Sequence, residues 1–221
     1  MIAPLFFHFK PLAQPDVADR IQGVLQRGGF QAKGVFEFDL SRKVSPANAA
    51  VLGFGPTRRI VLADSLLARY EPAEIEAVVA HELGHHAHRD MWLGTAAGAG
   101  VVVVALAVVA AVFSVTPLAA IAPLTNLASL PLWMLVFDLC SFALNPLALA
   151  LSRWSERRAD AYARVMSSEP GALATGLARL GREGLADPNP PRWEVLLRYT
   201  HPPMAERTQA GSSTARLVQA R

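Results

Sequence analysis

The sequence holds a single cysteine, Cys140, among 221 residues. No intrachain disulfide can form, and a structural metal site of the four-cysteine kind is excluded. Cys140 lies in an apolar run, where a thiol acts as a small packing group. Charge is missing from one long window. From Met91 through Ser152 the only charged side chain is Asp138, and every Lys and Arg lies outside. An uncharged stretch of that length is two membrane passes and not a buried core. The basic residues never cluster: a net charge of +3 flanks the apolar block, and the pairs Arg58-Arg59 and Arg157-Arg158 are too short to track a phosphate backbone. Nucleic acid is therefore not an expected partner. The opening MIAPLFFHFKPL lacks the basic segment of a secretory signal, and Pro4 and Pro11 interrupt its apolar patch. Membrane insertion is expected through the internal apolar pair.

The polar parts carry their own patterns. PDVADRIQGVLQRGGF reads as an amphipathic helix with Val17, Ile21, Val24 and Leu25 on one face, stopped by Gly28-Gly29. VFEFDL, NAAVLGFG and RRIVLAD follow as short strands, with Gly55-Pro56-Thr57 turning between the last two. They predict a small antiparallel sheet, and Asp64-Ser65 caps a short helix through Arg69. Pro72 suits the first position of the next helix, and Glu71, Glu74 and Glu76 complement its positive end. Pass one is placed at about 91–115, where GTAAGAG suits close helix packing, and pass two at about 130–151. Asp138 in the second pass either lines a polar cavity or hydrogen-bonds to a neighbouring helix. Both polar parts flank one hairpin whose connecting loop has no Lys or Arg, so both are expected in the cytoplasm.

The helix from Pro72 contains HELGHHAHRD, His81 to Asp90. At ~3.6 residues per turn, His81 and His85 project from one face, as two imidazoles sharing a tetrahedral zinc must. Glu82 adjoins the first ligand, where it can act as base without occupying the metal. Gly84 would let another backbone approach, with the facing strand as the expected neighbour. His86 points off this face and is read as packing or solvent-facing; His88 is expected polar and exposed.

A third ligand is needed, and SRWSERRADAYA, Ser152 to Ala163, offers it. Glu156 and Asp160 stand one turn apart: Glu156 can ligate, and Asp160 can accept a hydrogen bond from the outer nitrogen of a ligand histidine. Small Ala159 permits close helix contact. In LLRYTHPPMAER, His201 is held by two prolines. It either donates to a developing oxyanion or is a surface histidine. Arg207 is expected to buttress that loop.

HELGH, SRWSERRADAYA and THPPMAER, in this order, resemble membrane zinc metallopeptidases of the CAAX prenyl protease and HtpX type. SPANAAVLGFGPTRRIVLADSLL, Ser45 to Leu67, and PLFFHFKPL resemble the prenyl protease branch, closest to its catalytic half. The resemblance implies a gluzincin: His81, His85 and Glu156 on one zinc per chain, Glu82 as general base, Asp160 supporting a ligand, and His201 stabilising the transition state. Asn48 and Ala49 match the edge strand that holds substrate backbone. The implied fold is α+β and mainly helical, a zincin-like domain interrupted by a transmembrane hairpin. Residues 1–90 and 152–221 form the peptidase parts, and 91–151 the hairpin. The implied activity is endopeptidase cleavage of peptides or membrane proteins by a multi-pass protein of the bacterial inner membrane. Two features depart from the family. The prenyl proteases carry further membrane helices ahead of this region, and Arg157 and Arg158 stand where aromatic and small or polar residues are commoner. The missing helices motivate an alternative reading, a catalytically idle membrane scaffold that keeps the fold.

Overall fold

The structure, a computed structural model, describes residues 9–39, 48–115, 117, 120, 122–123, 125–169 and 171–209. Most of PLFFHFKPL, Leu40 and Ser45–Ala47 of the strand segments therefore lie outside the described residues.

Four short strands form one sheet in the order β1-β2-β4-β3. They are β1 (Phe9–Pro11), β2 (Val35–Phe38), β3 (Ala49–Leu52) and β4 (Arg59–Ala63). β3 pairs antiparallel with β4, as expected, and β1, a strand the sequence pattern does not mark, pairs antiparallel with β2. β2 and β4 run parallel, Val35 opposite Ile60, so the sheet is mixed and not wholly antiparallel. Strand patterns report which face is buried but not the direction of the neighbour, and β1, three residues ending in Pro11, is too short to show a period. The β3–β4 connection requires glycine at position 53: its φ is +89°, and a Cβ there would meet the carbonyl oxygen of Thr57 at 2.8 Å.

Helix α1 (Pro15–Arg27) buries Val17, Ile21, Val24 and Leu25, the face its periodicity marks. α2 (Asp64–Arg69) is followed by α3 (Pro72–Ala87). Glu74 closes the start of α3 by accepting from the Glu71 amide at 3.1 Å. α3 packs on α1, on β3 and on α6 (Ala172–Glu183). Ile21, Ile60, Leu62, Leu66, Ile75 and Leu83 are the large side chains at the centre of this core.

Glu76 does more than complement the helix end. Its carboxylate is buried and receives Arg20 at 3.0 Å, Arg27 at 2.7 Å, and the Ser168 amide and hydroxyl at 2.9 and 2.5 Å. Burial alone would raise its pKa, but the Ser168 and arginine hydrogen bonds outweigh that and hold it below the usual carboxylate range.

The chain divides into two compact units. One comprises 1–88, 155–190 and 202–221, the other 89–154 and 191–201. The second contains α4 (Asp90–Val115), the first part of α5 (Leu130–Met166) and α7 (Arg192–Arg198). Within it Val109, Phe113 and Ala122 pack with Trp133, Val136 and Phe137. α4 and α5 are long and apolar enough to cross a membrane. Large side chains such as Val103, Leu106, Leu139, Phe142 and Leu147 are exposed along them, the surface a bilayer would cover. Asp138 is exposed too. The GTAAGAG stretch is not a packed surface among the described residues: nothing lies within 4 Å of a Cβ built at Gly94, Gly98 or Gly100.

Candidate active site

Helix α3 brings His81 and His85 onto one face, with Nε2 atoms 3.2 Å apart. The C-terminal part of α5 supplies Glu156, whose carboxylate oxygens lie 3.5 Å from His81 Nε2 and 3.4 Å from His85 Nε2. A tetrahedral zinc with ligand bonds of ~2.0–2.1 Å has ligand-to-ligand edges of about 3.3–3.4 Å. The imidazole edge falls close to that length, each imidazole has a Glu156 oxygen at a similar distance, and one donor atom from each residue lies within 4.8 Å of the others. Two imidazoles and a carboxylate are a donor set that fits such an ion. Among the described residues, these three form the group able to hold a metal.

The close approach of the two helices rests on glycine. A Cβ at Gly84 would meet Ala159 Cα at 2.9 Å and its carbonyl oxygen at 3.2 Å. The backbone that approaches Gly84 is thus that of α5 and not a strand, and Gly84 and Ala159 are the two faces of one contact.

The outer nitrogen of His81, Nδ1, lies 2.9 Å from Asp160 Oδ1. Asp160 in turn receives Arg207 through both oxygens, at 2.8 and 2.7 Å, and Arg207 also lies 3.4 Å from Glu156. All three are buried. Arg207 therefore anchors the carboxylate that faces His81, and its backbone N–H also donates to the Pro203 carbonyl at 3.2 Å. Burial lowers the His81 pKa, but Asp160 and Glu156 raise it more, to about 9. Asp160 would be raised by burial but is held low by His81 and Arg207. Burial pushes the Glu82 carboxyl up against the opposing charges of His81 and His85.

The other two histidines of the motif lie off the ligand face, His86 packed against the sheet and His88 less exposed than expected. His86 sets Nε2 3.1 Å from the carbonyl oxygen of Val51 in β3. His88 is half-buried at the C-cap of α3, with Nδ1 2.8 Å from the Gly84 carbonyl and its ring edge-on to Tyr162. Asn48 is exposed and Ala49 buried at the head of the edge strand β3.

His201 is exposed in the second unit, its Nδ1 2.8 Å from the Thr200 hydroxyl. The segment ahead of it is fixed from α5. Buried Arg153 donates to the carbonyls of Val195 and Tyr199, at 2.9 and 2.8 Å, and Ser152 to that of Thr200 at 2.8 Å. Sequence reasoning missed these two residues. The available signal was Ser152-Arg153, the first polar pair where the apolar run ends.

An HExxH helix crossed by a second helix bearing a glutamate defines a zincin-like centre. The chain belongs to peptidase family M48, whose sequence profile matches residues 11–215. It is similar to the uncharacterized metalloprotease YhfN of Bacillus subtilis, with 31% identity over 95% of this chain and 50% of that protein. It is also similar to the CAAX prenyl protease 1 homolog of Oryza sativa subsp. japonica, with 30% identity over 95% of this chain and 50% of that one. The chain thus spans about half the length of these relatives. The crystal structure of S. mikatae Ste24p shares the fold, with a TM-score of 0.80 and 24% identity over 95% of this chain and 53% of that one.

Proposed function

We propose that the chain carries the catalytic part of a membrane-embedded zinc endopeptidase acting on peptides or membrane proteins. The observation that carries the proposal is the cluster of His81, His85 and Glu156, with the two Nε2 atoms 3.2 Å apart and a Glu156 oxygen 3.5 and 3.4 Å from each in turn. A zinc ion held there would supply Lewis-acid activation of a water and of the scissile carbonyl. Glu82 takes a proton from the attacking water as its oxygen bonds to the carbonyl carbon, and delivers that proton to the amine nitrogen, so that the C–N bond of the tetrahedral adduct then breaks and the amine leaves. Asp160 keeps the proton of His81 on Nδ1 and turns Nε2 towards the ligand position. Ala49 receives the substrate backbone along the open edge of β3, and Asn48, whose carbonyl is bonded to Ala63, contributes through its exposed side chain at the head of that strand. For His201, support as the oxyanion donor comes from the sequence resemblance and from the two prolines that stiffen its loop.

Residues 1–90 and 152–221 are assigned to the peptidase part and 91–151 to the hairpin, with the polar parts facing the cytoplasm. The exposed apolar sides of α4 and α5 support a bilayer as the second partner.

The test is Glu82→Gln in detergent-purified, zinc-loaded protein. Cleavage of an unfolded polypeptide should fall about 10²–10⁴-fold, with metal content and melting temperature unchanged. Undiminished cleavage would refute the general base, and cleavage by neither protein would favour the idle scaffold.

A further inference from the structure

β3 is an edge strand, and two hydrogen bonds decide which of its peptide groups face outward. Ala63 donates to the Asn48 carbonyl at 2.9 Å, so Asn48 points into the sheet. Ile60 donates to the Gly34 carbonyl at 3.1 Å, so Ile60 points towards β2 and its neighbours Arg59 and Val61 point towards β3. Peptide groups of successive strand residues alternate in direction. With Ala50 opposite Val61 and Leu52 opposite Arg59, Ala50 and Leu52 bond to β4. Ala49 and Val51 therefore direct their N–H and C=O groups to the open side. Gly53, at φ +89°, then turns the chain away, which makes Val51 the last outward-facing residue of β3.

One of these outward groups is already taken. The Val51 carbonyl accepts the Nε2–H of His86, the residue directly after the metal-ligand candidate His85. An incoming strand finds a donor and an acceptor at Ala49 but only a donor at Val51, with an imidazole where its own N–H would have to sit.

We propose that His86 is the register stop of the substrate strand: by capping the Val51 carbonyl it ends backbone pairing there and fixes which peptide bond is presented to the metal centre. The inference rests on the peptidase reading and deepens it. His86 acts through Val51 and so is a positioning residue, not a catalytic one. Strand side chains alternate with a period of two, so a strand freed from the stop slips by two residues, keeping its faces. Slipped registers trap substrate unproductively at the original bond, which lowers kcat and KM for that bond together.

The experiment compares wild type, His86→Leu and His86→Gln as full-length, zinc-loaded protein in detergent. β-Casein, an unfolded polypeptide, serves as the probe, its products are mapped by mass spectrometry, and kcat and KM are measured on one decapeptide taken from a major cut. For His86→Leu the expected result is new cuts two residues from the wild-type ones. On the decapeptide kcat and KM should fall together, with kcat/KM within about threefold of wild type. His86→Gln, which keeps an N–H donor, should restore the wild-type map. In a Glu82→Gln background the uncut decapeptide should protect the amides of Ala49 and Val51 from hydrogen exchange. A merely structural role for His86 predicts a lower kcat/KM with an unaltered cut map, and that result would overturn the proposal. So would missing amide protection. Should His86→Leu not fold, His86→Phe fills similar volume without a donor and is read the same way. Wild type that binds zinc and cuts nothing refutes the peptidase reading and the register stop with it; cutting wild type with an unchanged leucine variant refutes the stop alone.

Discussion

At His81 the two ring nitrogens have separate tasks. Nε2 faces His85 and Glu156, while Nδ1 faces Asp160, and Asp160 is gripped at both oxygens by Arg207. Asp160→Asn keeps the shape but weakens the acceptor and the charge, so zinc affinity should fall about 10–100-fold in competition with a chromogenic chelator. Affinity equal to wild type would separate Asp160 from the metal site. His81, Glu82 and His85 were legible because they lie within one turn of one helix, and Asp160 because it follows Glu156 by four residues. Arg207 was not. It reaches Asp160 from 47 positions away, and nothing in THPPMAER says which carboxylate an arginine will meet. His86 escaped for a similar reason: helical geometry says that it leaves the ligand face, but not that a strand carbonyl waits on the other side.

At the scale of elements, the site is a crossing of α3 and α5 through Gly84 and Ala159. Gly84→Ala gains about 1 kcal/mol of helix propensity but forces a methyl into backbone at 2.9 Å, an overpacking that costs about 1–3 kcal/mol. The variant should melt lower and bind zinc more weakly, because both ligand-bearing helices must part; a higher melting temperature with normal zinc binding would contradict the crossing. Glu76 fastens α3 to α1 and to the turn after α5, and its folded pKa is depressed. The stability it contributes is fully present above its unfolded pKa of about 4.5 and is lost as pH falls through the lower folded value. Acid melting curves should therefore steepen below about pH 4.5 in wild type and flatten in Glu76→Gln. Parallel acid profiles would show that the carboxylate does not matter. Helix α1 was legible to the residue because its period is clean. The parallel β2–β4 pairing was not, because it depends on a chain crossing that no local pattern records.

At the scale of the whole molecule, one helix of 37 residues carries both an apolar run and the candidate ligand Glu156. At ~1.5 Å per residue it is roughly 55 Å long, well beyond the ~30 Å hydrocarbon core. The account places the protein in the bilayer through α4 and α5. It should stay in the membrane pellet after an alkaline wash, and release into the supernatant would contradict the two passes. The membrane reading was legible from missing charge alone. Which surfaces of the hairpin pack was not, since GTAAGAG suits close contact by composition yet its glycines have no neighbour among the described residues.

The most direct test of the account is the zinc content of detergent-purified protein, wild type beside Glu156→Ala. The prediction is one zinc per wild-type chain and a sharp loss in the variant, whose altered residue lies 71 positions beyond the last histidine ligand (156 minus 85). Zinc-free wild type after supplementation, or a variant that retains the metal in full, would contradict the three-ligand centre on which the proposed chemistry depends.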